Sequence, residues 1–251
     1  MAKRAEELGF NSVWFEDSQM VAADPFVAMA ASAMHTTRIR LGTGVCIPTN
    51  RIPPVTANML ATLNQLAPGR IDWGVGTGFS ARRAMGLSAI SVETLGRHLR
   101  AVHGLLARET VEWDFGAGRR RKIRFLNPDV PLFNTTDPIA THVAAMGPKS
   151  RQLAAELGCH WITLYISPGQ LADARYLTLH RGHALFMRPE EDAVLPAEFI
   201  RKSTFTGTVT QLAELVKAIA DAGYSEVSFV VLPQYPDAVE DWARVMETAR
   251  V

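Results

Sequence analysis

The sequence predicts an α/β protein built on parallel strands, and three observations support this prediction. Two strand-like runs end in the same three residues: Arg38–Leu41 leads into Gly42–Gly44, and Arg70–Val75 leads into Gly76–Gly78. A helix-like stretch separates the two copies, as in one strand and helix unit of a parallel sheet. The chain has 251 residues and 47% hydrophobic content. This size suits one domain, and repetition of the unit favours a (β/α)8 TIM barrel over an open doubly wound sheet.

The first half of the chain alternates helix and strand. Gly9 ends the first helix, Asp24 caps the second before Pro25, and Pro68 with Gly69 turns the chain into a strand. These cues and the apolar periodicity predict, in order, helix Ala2–Leu8, strand Ser12–Phe15, helix Pro25–Met34, strand Arg38–Val45, helix Val55–Leu66, strand Ile71–Val75 and helix Ser91–Leu106.

The second half opens with a predicted hairpin and then resumes the alternation. Glycines at positions 116 and 118 suggest the hairpin turn. The predicted elements are hairpin Val111–Phe125, strand Thr141–Ala145, helix Arg151–Leu157, strand Trp161–Ile166, helix Leu212–Ala222, strand Glu226–Leu232 and helix Asp237–Ala249. The predicted core contains Val13, Phe15, Leu41, Val75, Val143, Ile162 and Val230.

Six strands fall short of the eight that a closed barrel needs. We expect one absent strand to belong before Met1 and the other near the junction of Arg175 and Tyr176. The prediction is therefore a single domain over residues 1–251 that is incomplete at these two places.

Composition narrows the possible partners. Lys and Arg total 26 against 25 Asp and Glu, which leaves a net charge of +1 and suggests no nucleic-acid partner. Two cysteines are too few for a disulfide framework. The sequence has no apolar run of membrane-spanning length and no signal pattern at Met1. We therefore expect a soluble, cytoplasmic protein without a membrane partner.

Several short motifs follow one another along the chain: Ala5–Trp14, Arg38–Val45, Pro68–Ile71 followed by Gly74–Gly78, Ala144–Ser150 and Phe205–Gly207. This ordered set resembles the bacterial luciferase-like monooxygenase superfamily. The resemblance covers nearly the whole chain and implies an eight-stranded barrel, usually a homodimer. It also implies a small-molecule substrate and one of two reactions. The first is oxygenation with reduced FMN, which a separate flavin reductase would supply. The second is hydride transfer with the deazaflavin coenzyme F420. The stretch Gly76–Leu87 is similar to the methylenetetrahydromethanopterin reductase-like branch.

The resemblance also implies a set of cofactor-binding residues. The bond between Gly44 and Val45 corresponds to a cis peptide that the family places against the flavin ring. Two threonine hydroxyls suit ring or ribityl oxygens, although threonines are common in half-buried strands. The helix start after Met146 offers free amides and a serine hydroxyl to a phosphate, with a plain helix cap as the alternative. The implied set is Thr43, Gly44, Val45, Thr77, Gly78, Met146, Gly147, Pro148 and Ser150.

Asp17 and Ser18 are the candidate catalytic residues. They follow a predicted strand at the position where related deazaflavin enzymes often have an acidic residue and then histidine. Asp17 can orient the cofactor or the substrate, whereas a serine hydroxyl does not donate a proton near neutral pH as an imidazole does. His180 and His183 share a possible helix face. Surface positions are favoured for them, a substrate pocket is the alternative, and no metal site is predicted.

Three functions remain open from the sequence. A flavin- or deazaflavin-dependent oxidoreductase is favoured, with FMN-dependent oxygenation ahead of deazaflavin hydride transfer. A nicotinamide dehydrogenase is weakened because the third glycine of the dinucleotide motif is missing after Gly74–Gly78. A flavin-binding barrel without catalytic activity is the third, and the serine at position 18 keeps it open.

Overall fold

A computed structural model describes residues 1–163, 204–232 and 234–250. Its helices are α1 (Ala2–Glu7), α2 (Pro25–Ala33), α3 (Pro53–Leu66), α4 (Phe79–Ala84), α5 (Val92–Leu106), α6 (Pro148–Glu156), α7 (Val209–Asp221) and α8 (Ala238–Ala249). Its strands are β1 (Ser12–Phe15), β2 (Arg40–Thr43), β3 (Ile71–Val75), β4 (Val111–Asp114), β5 (Arg120–Ile123), β6 (Ala140–Ala144) and β7 (His160–Ile162). A short 3-10 helix, Pro48–Asn50, follows β2.

Five strands form a parallel sheet in the order β1, β2, β3, β6, β7. Leu41 of β2 lies opposite Ile71 of β3, so the two glycine turns that follow these strands lie at the same edge of the sheet. The predicted parallel arrangement and common edge are confirmed. Strands β4 and β5 form the predicted antiparallel hairpin.

Helix α5 shows how the sequence places helices against this sheet. Its cap is Ser91, whose hydroxyl accepts the Thr94 amide proton at 3.1 Å, and the buried residues recur along one face. Leu95, Leu99 and Val102 on that face are completely buried. The amphipathic pattern therefore predicted both the helix and the face that packs.

Burial tests the predicted core residues. Leu41, Val75 and Val143 are fully buried, as predicted. Val13, Phe15 and Ile162 are only half-buried. The sheet core thus depends most on the three central strands.

Residues 3–10 and 204–250 belong to a second compact unit. Its core consists of Ala213 and Val216 from α7 and Val245 and Ala249 from α8. Thr208 caps α7, and its hydroxyl and the Gln211 side chain form a reciprocal capping box.

The predicted strand Glu226–Leu232 is wrong, because these residues have no regular structure. In this segment, exposed and half-buried residues alternate from 226 to 231. Phe229 is half-buried and stacks on Trp242, with ring centroids 4.4 Å apart. The next residue, Val230, then points the other way and is 80% exposed. Val230 is therefore not a core residue.

Some predictions fall on residues 164–203, outside the described residues. They include the end of the strand Trp161–Ile166, the absent strand near Arg175 and Tyr176, and both His180 and His183. Within the described ranges, no helix combines the length and the hydropathy needed to cross a membrane.

Candidate active site

The loops that follow β1, β2, β3 and β6 all leave the sheet at its carboxyl edge, because these strands run parallel. Ligands of parallel α/β folds bind at this edge. It carries every predicted catalytic or cofactor-binding residue among the described ones.

Asp17, just after β1, is 5% exposed and connects two of these loops. Its carboxylate accepts the Ile47 amide proton at 3.1 Å and lies 3.4 Å from the Arg51 guanidinium. The same guanidinium contacts Asp24 at 2.6 Å and lies 4.4 Å from the centre of the Phe26 ring. Asp17 thus holds the loop after β2 in place.

Ser18 is half-buried beside Asp17. Its carbonyl oxygen accepts the amide protons of Val21 and Ala22, at 3.0 and 2.8 Å, so its main chain closes the turn after β1. The predicted catalytic role of its hydroxyl remains a prediction.

Gln19 is a connecting residue that the sequence did not reveal. Its amide nitrogen donates to the Ala81 carbonyl at 3.0 Å, and its amide oxygen accepts from Asn50 at 3.1 Å. One side chain therefore links the turn after β1 to the segment after β2 and to helix α4. A glutamine in a polar turn carries no sequence signal for such a position.

The peptide bond between Gly44 and Val45 is cis, as the resemblance implied. Gly44 is exposed and its amide donates to the Phe15 carbonyl at 2.7 Å. The next residue, Cys46, is buried, and burial together with the charge of Asp17 raises the pKa of its thiol to about 12. Cys46 is therefore a neutral packing residue and no nucleophile.

Thr43 is fully buried, and its hydroxyl donates to the Gly74 carbonyl at 2.6 Å. This proton is already used within the sheet. A side chain at Gly74 would collide with the Thr43 carbonyl, and one at Gly42 would meet the Trp14 ring. These two glycines therefore allow close packing of strands and side chains.

Thr77 is half-buried, and its carbonyl accepts the Ile90 amide proton at 3.0 Å. Gly78 follows with a φ of +79°, a left-handed conformation that glycine adopts without strain, and α4 begins at the next residue. The chain thus turns sharply at the carboxyl edge. The predicted contact of Thr77 with a cofactor remains a prediction.

Helix α6 begins after Gly147 without a side-chain cap from that residue. Pro148 has no amide proton, and the Arg151 amide donates to the Gly147 carbonyl at 3.1 Å. The Ser150 hydroxyl, 7% exposed, donates to the same carbonyl at 3.0 Å. An anion here would therefore meet the main-chain amides of Lys149 and Ser150.

Met146 lies at the entrance to α6 and is 51% exposed. The Thr163 hydroxyl lies 3.7 Å from its sulfur. A large exposed apolar side chain at this edge suits contact with a ligand.

A charged cluster inside the sheet escaped the sequence analysis. Arg40 binds both carboxylate oxygens of Asp72, at 2.7 and 2.8 Å, and His142 lies 3.4 Å from the same carboxylate. Burial alone would raise the pKa of Asp72, but the hydrogen bonds of His142 and Arg40 outweigh it and lower that pKa. His142 lies in the middle of β6 and stacks on His160, with ring centroids 4.8 Å apart.

Two curated relatives share about a third of their aligned residues with this chain. A 5,10-methylenetetrahydromethanopterin reductase of Methanolobus tindarius is 35% identical over 163 residues, which are 62% of this chain and 46% of the relative. An F420-dependent glucose-6-phosphate dehydrogenase of Beutenbergia cavernae is 35% identical over 171 residues, 61% of this chain and 48% of the relative. The chain spans about half the length of these curated relatives.

A solved structure matches the fold over most of the chain. The oxygenating constituent of 3,6-diketocamphane monooxygenase from Pseudomonas putida, in complex with FMN, aligns with a TM-score of 0.71 and 14% identity. The match covers 98% of this chain and 89% of that structure. The likeness confirms the predicted (β/α)8-barrel fold class. The family model for luciferase-like monooxygenases matches residues 1–196, so the chain belongs to that family.

Proposed function

We propose that this chain is the core of an oxidoreductase that binds a flavin-type cofactor at the carboxyl edge, with deazaflavin F420 favoured over FMN. One observation carries the proposal: the same edge presents the exposed main chain of Gly44, next to the half-buried Val45, and an uncapped helix start at Gly147. A flat ring and an anionic group need these two surfaces respectively.

The residues present fit such a group. The amides of Lys149 and Ser150 would hold a phosphate, and Gly147 leaves open space where a side chain would otherwise stand. The loop of Gly44 and Val45 would meet the ring, because Asp17 fixes this loop through the Ile47 amide. When bound, the cofactor supplies or accepts a hydride.

The residues of this chain would act more by positioning the cofactor and the substrate and by excluding water than by acid or base catalysis. Cys46 stays protonated, since burial raises the pKa of its thiol to about 12. Asp17 is held between an amide and a guanidinium, which suits an orienting role. These features favour a reaction in which catalysis depends mainly on the orientation of the cofactor and the substrate by the loops.

F420-dependent hydride transfer is favoured because a relative 35% identical to this chain is named as F420-dependent. Oxygenation of a small organic substrate with reduced FMN is the second candidate. Ser18 favours it, since a serine hydroxyl keeps its proton near neutral pH and oxygenation demands no acid at this position. A homodimer and a separate flavin reductase remain proposals that accompany the FMN reaction.

Titration of the protein with FMN, F420 and NAD tests the cofactor class. We expect binding of FMN or F420 and no tight binding of NAD. Gly147→Asp would add a carboxylate at the helix start while also capping α6, so the fold is preserved. We expect this variant to weaken FMN binding by about tenfold and to leave riboflavin binding unchanged, because riboflavin lacks the phosphate.

Ala117→Asp at the hairpin turn, where the residue is exposed, adds the same charge and serves as the control. Tight binding of NAD with no binding of FMN or F420 would overturn the proposed cofactor class. Equal loss of FMN and riboflavin binding in Gly147→Asp would remove the helix start from the phosphate site.

A further inference from the structure

Helix α4 presents an aromatic ring and a guanidinium to solvent beside the candidate active site. Phe79 follows Gly78 directly and is 49% exposed. The guanidinium of Arg83, one turn later, lies 4.0 Å from the centre of the Phe79 ring. A cation stacked on an aromatic ring keeps its outer edge available for a further partner.

The two neighbouring arginines of α4 have different surroundings. Arg82 donates to the Ser88 carbonyl and, at 2.6 Å, to the Thr49 hydroxyl. Arg83 is exposed, and its guanidinium forms no hydrogen bond or ion pair with any residue in the described ranges. Arg82 therefore connects the loops, whereas the charge of Arg83 meets no acidic partner in the part of the chain that the structure describes.

A cavity of about 260 Å³ lies against this pair. It is lined by Phe79, Arg83, Gly86, Leu87, Ser88 and Ala89. Leu87 is 46% exposed, so an apolar side chain and an aromatic ring stand beside one cation. The volume is slightly below the range of drug-sized ligand sites and suits a single ring or a short chain.

The charge of Arg83 has two possible small-molecule partners near this edge, a cofactor phosphate and a substrate carboxylate. The amides at the start of α6 already suit a phosphate, and Arg83 lies instead on the helix after β3. The apolar lining beside Arg83 favours a ligand that carries an apolar group next to its charge, and a phosphate carries none. These two facts favour the carboxylate.

We propose that Phe79, Arg83 and Leu87 form a substrate subsite for a small carboxylic acid that carries an aromatic or apolar group. Arg83 binds the carboxylate through its guanidinium edge, and Phe79 with Leu87 contacts the apolar part. This inference rests on the proposed function, because it places the subsite next to the cofactor.

Fluorine NMR titration with 4-fluorobenzoate and with the neutral 4-fluorobenzamide tests the subsite. The unsubstituted protein is expected to bind the acid about tenfold more tightly than the amide, since only the acid forms a charge-assisted pair. Arg83→Gln is expected to abolish this preference. Arg97→Gln removes the same charge from an exposed position of α5 and is expected to retain it.

Phe79→Ala is expected to weaken binding of both probes, because it removes the apolar surface and leaves the charge. Circular dichroism and FMN and F420 titrations of each variant accompany these measurements. An unchanged cofactor affinity in Arg83→Gln, with lost preference for the acid, supports the subsite.

The subsite is overturned if the unsubstituted protein shows no preference for the acid, or if the preference survives Arg83→Gln. A fall in FMN or F420 affinity in Arg83→Gln, with the acid preference unchanged, also overturns it and assigns the charge to the cofactor. If neither cofactor binds but the acid preference depends on Arg83, the anion subsite stands and the proposed function fails.

Discussion

Two buried carboxylates, each beside an arginine, differ in their position: Asp72 lies within the parallel sheet, and Asp17 lies at the carboxyl edge of that sheet. Inside the sheet, Arg40 holds Asp72 through two short contacts of 2.7 and 2.8 Å. At the carboxyl edge, Arg51 approaches Asp17 at only 3.4 Å and makes its short contact, 2.6 Å, with Asp24 instead. The interior pair is bidentate, and the edge pair is loose and shared.

The difference separates fold from function. Asp72 of β3 binds Arg40 on β2 and reaches His142 on β6, so this cluster spans three adjacent strands. Asp17 joins loops, and its carboxylate also accepts the Ile47 amide proton. We infer that the interior pair serves stability, whereas the edge pair sets the position of the loop that carries Gly44 and Val45.

Removal of the interior carboxylate is expected to have the largest effect. Asp72→Ala leaves the Arg40 guanidinium without its carboxylate, which costs about 3 kcal/mol of the free energy of unfolding. The lower end of the usual range applies because Arg40 is 39% exposed and regains water. Urea denaturation measures the loss.

Asp129→Asn is the control, because it breaks an ion pair with Arg108 in which the aspartate is 84% exposed. We expect this control to change stability little. A comparable loss in both variants would contradict the structural weight given to the interior pair.

His98 offers a third case, a buried ionisable group without an ionic partner among the described residues. Burial lowers the pKa of His98 to about 4, and its Nε2 atom has no hydrogen-bond partner in the described ranges. The unfolded chain binds a proton on this imidazole near pH 6.5 that the folded chain does not, so stability falls as the pH drops from 6.5 to about 4. His98→Leu should reduce this loss in the free energy of unfolding by about 2 kcal/mol.

Thermal unfolding at pH 7, 6, 5 and 4 checks this effect. His103 also has a pKa lowered by burial, so part of the decline is expected to remain in His98→Leu. Asp72 affects stability at a lower pH than the histidines do. Its folded-state pKa is lowered, so its stabilisation is present above pH ~3.9 and is lost as the pH falls through the folded-state pKa. An unchanged pH profile in His98→Leu would refute the assignment.

Asp17→Asn is expected to have the smallest effect on stability and a larger one on activity. The asparagine oxygen can still accept the Ile47 amide proton, so the loss is about 1 kcal/mol. Without the charge, Arg51 no longer pulls the two loops together, and turnover should fall more than cofactor affinity does. Steady-state rates and cofactor titration of the same preparation separate the two.

Asp24→Asn is the matched control, because it removes the other carboxylate from Arg51 at an exposed position. If Asp17→Asn lowers cofactor affinity as strongly as turnover, Asp17 belongs to the cofactor site itself.

Much of the fold could be predicted from local patterns. The strand of Ile71–Val75 is buried at every position, and Ser91 caps α5 as its place before an apolar periodicity indicated. Glycines after β2 and β3 correctly indicated one common edge. These features depend on neighbours in sequence, which a single chain reveals.

Features that depend on distant partners escaped prediction. Asp72 and His142 are 70 positions apart, and nothing near either residue indicates the other. The contact of the Thr43 hydroxyl with Gly74 likewise spans 31 positions. Val230 was misassigned because an apolar run was interpreted as a paired strand, whereas Phe229 turns toward Trp242.

The packing around Gly42 and Gly74 has a consequence for how related sequences are interpreted. Both glycines are required because the Trp14 ring and the Thr43 carbonyl occupy the space that a side chain would need. Selection would preserve them even in a descendant that had lost its cofactor. Retention of Gly42 and Gly74 in a distant homologue therefore reports the close packing of β1, β2 and β3, and does not by itself indicate that the homologue binds a cofactor.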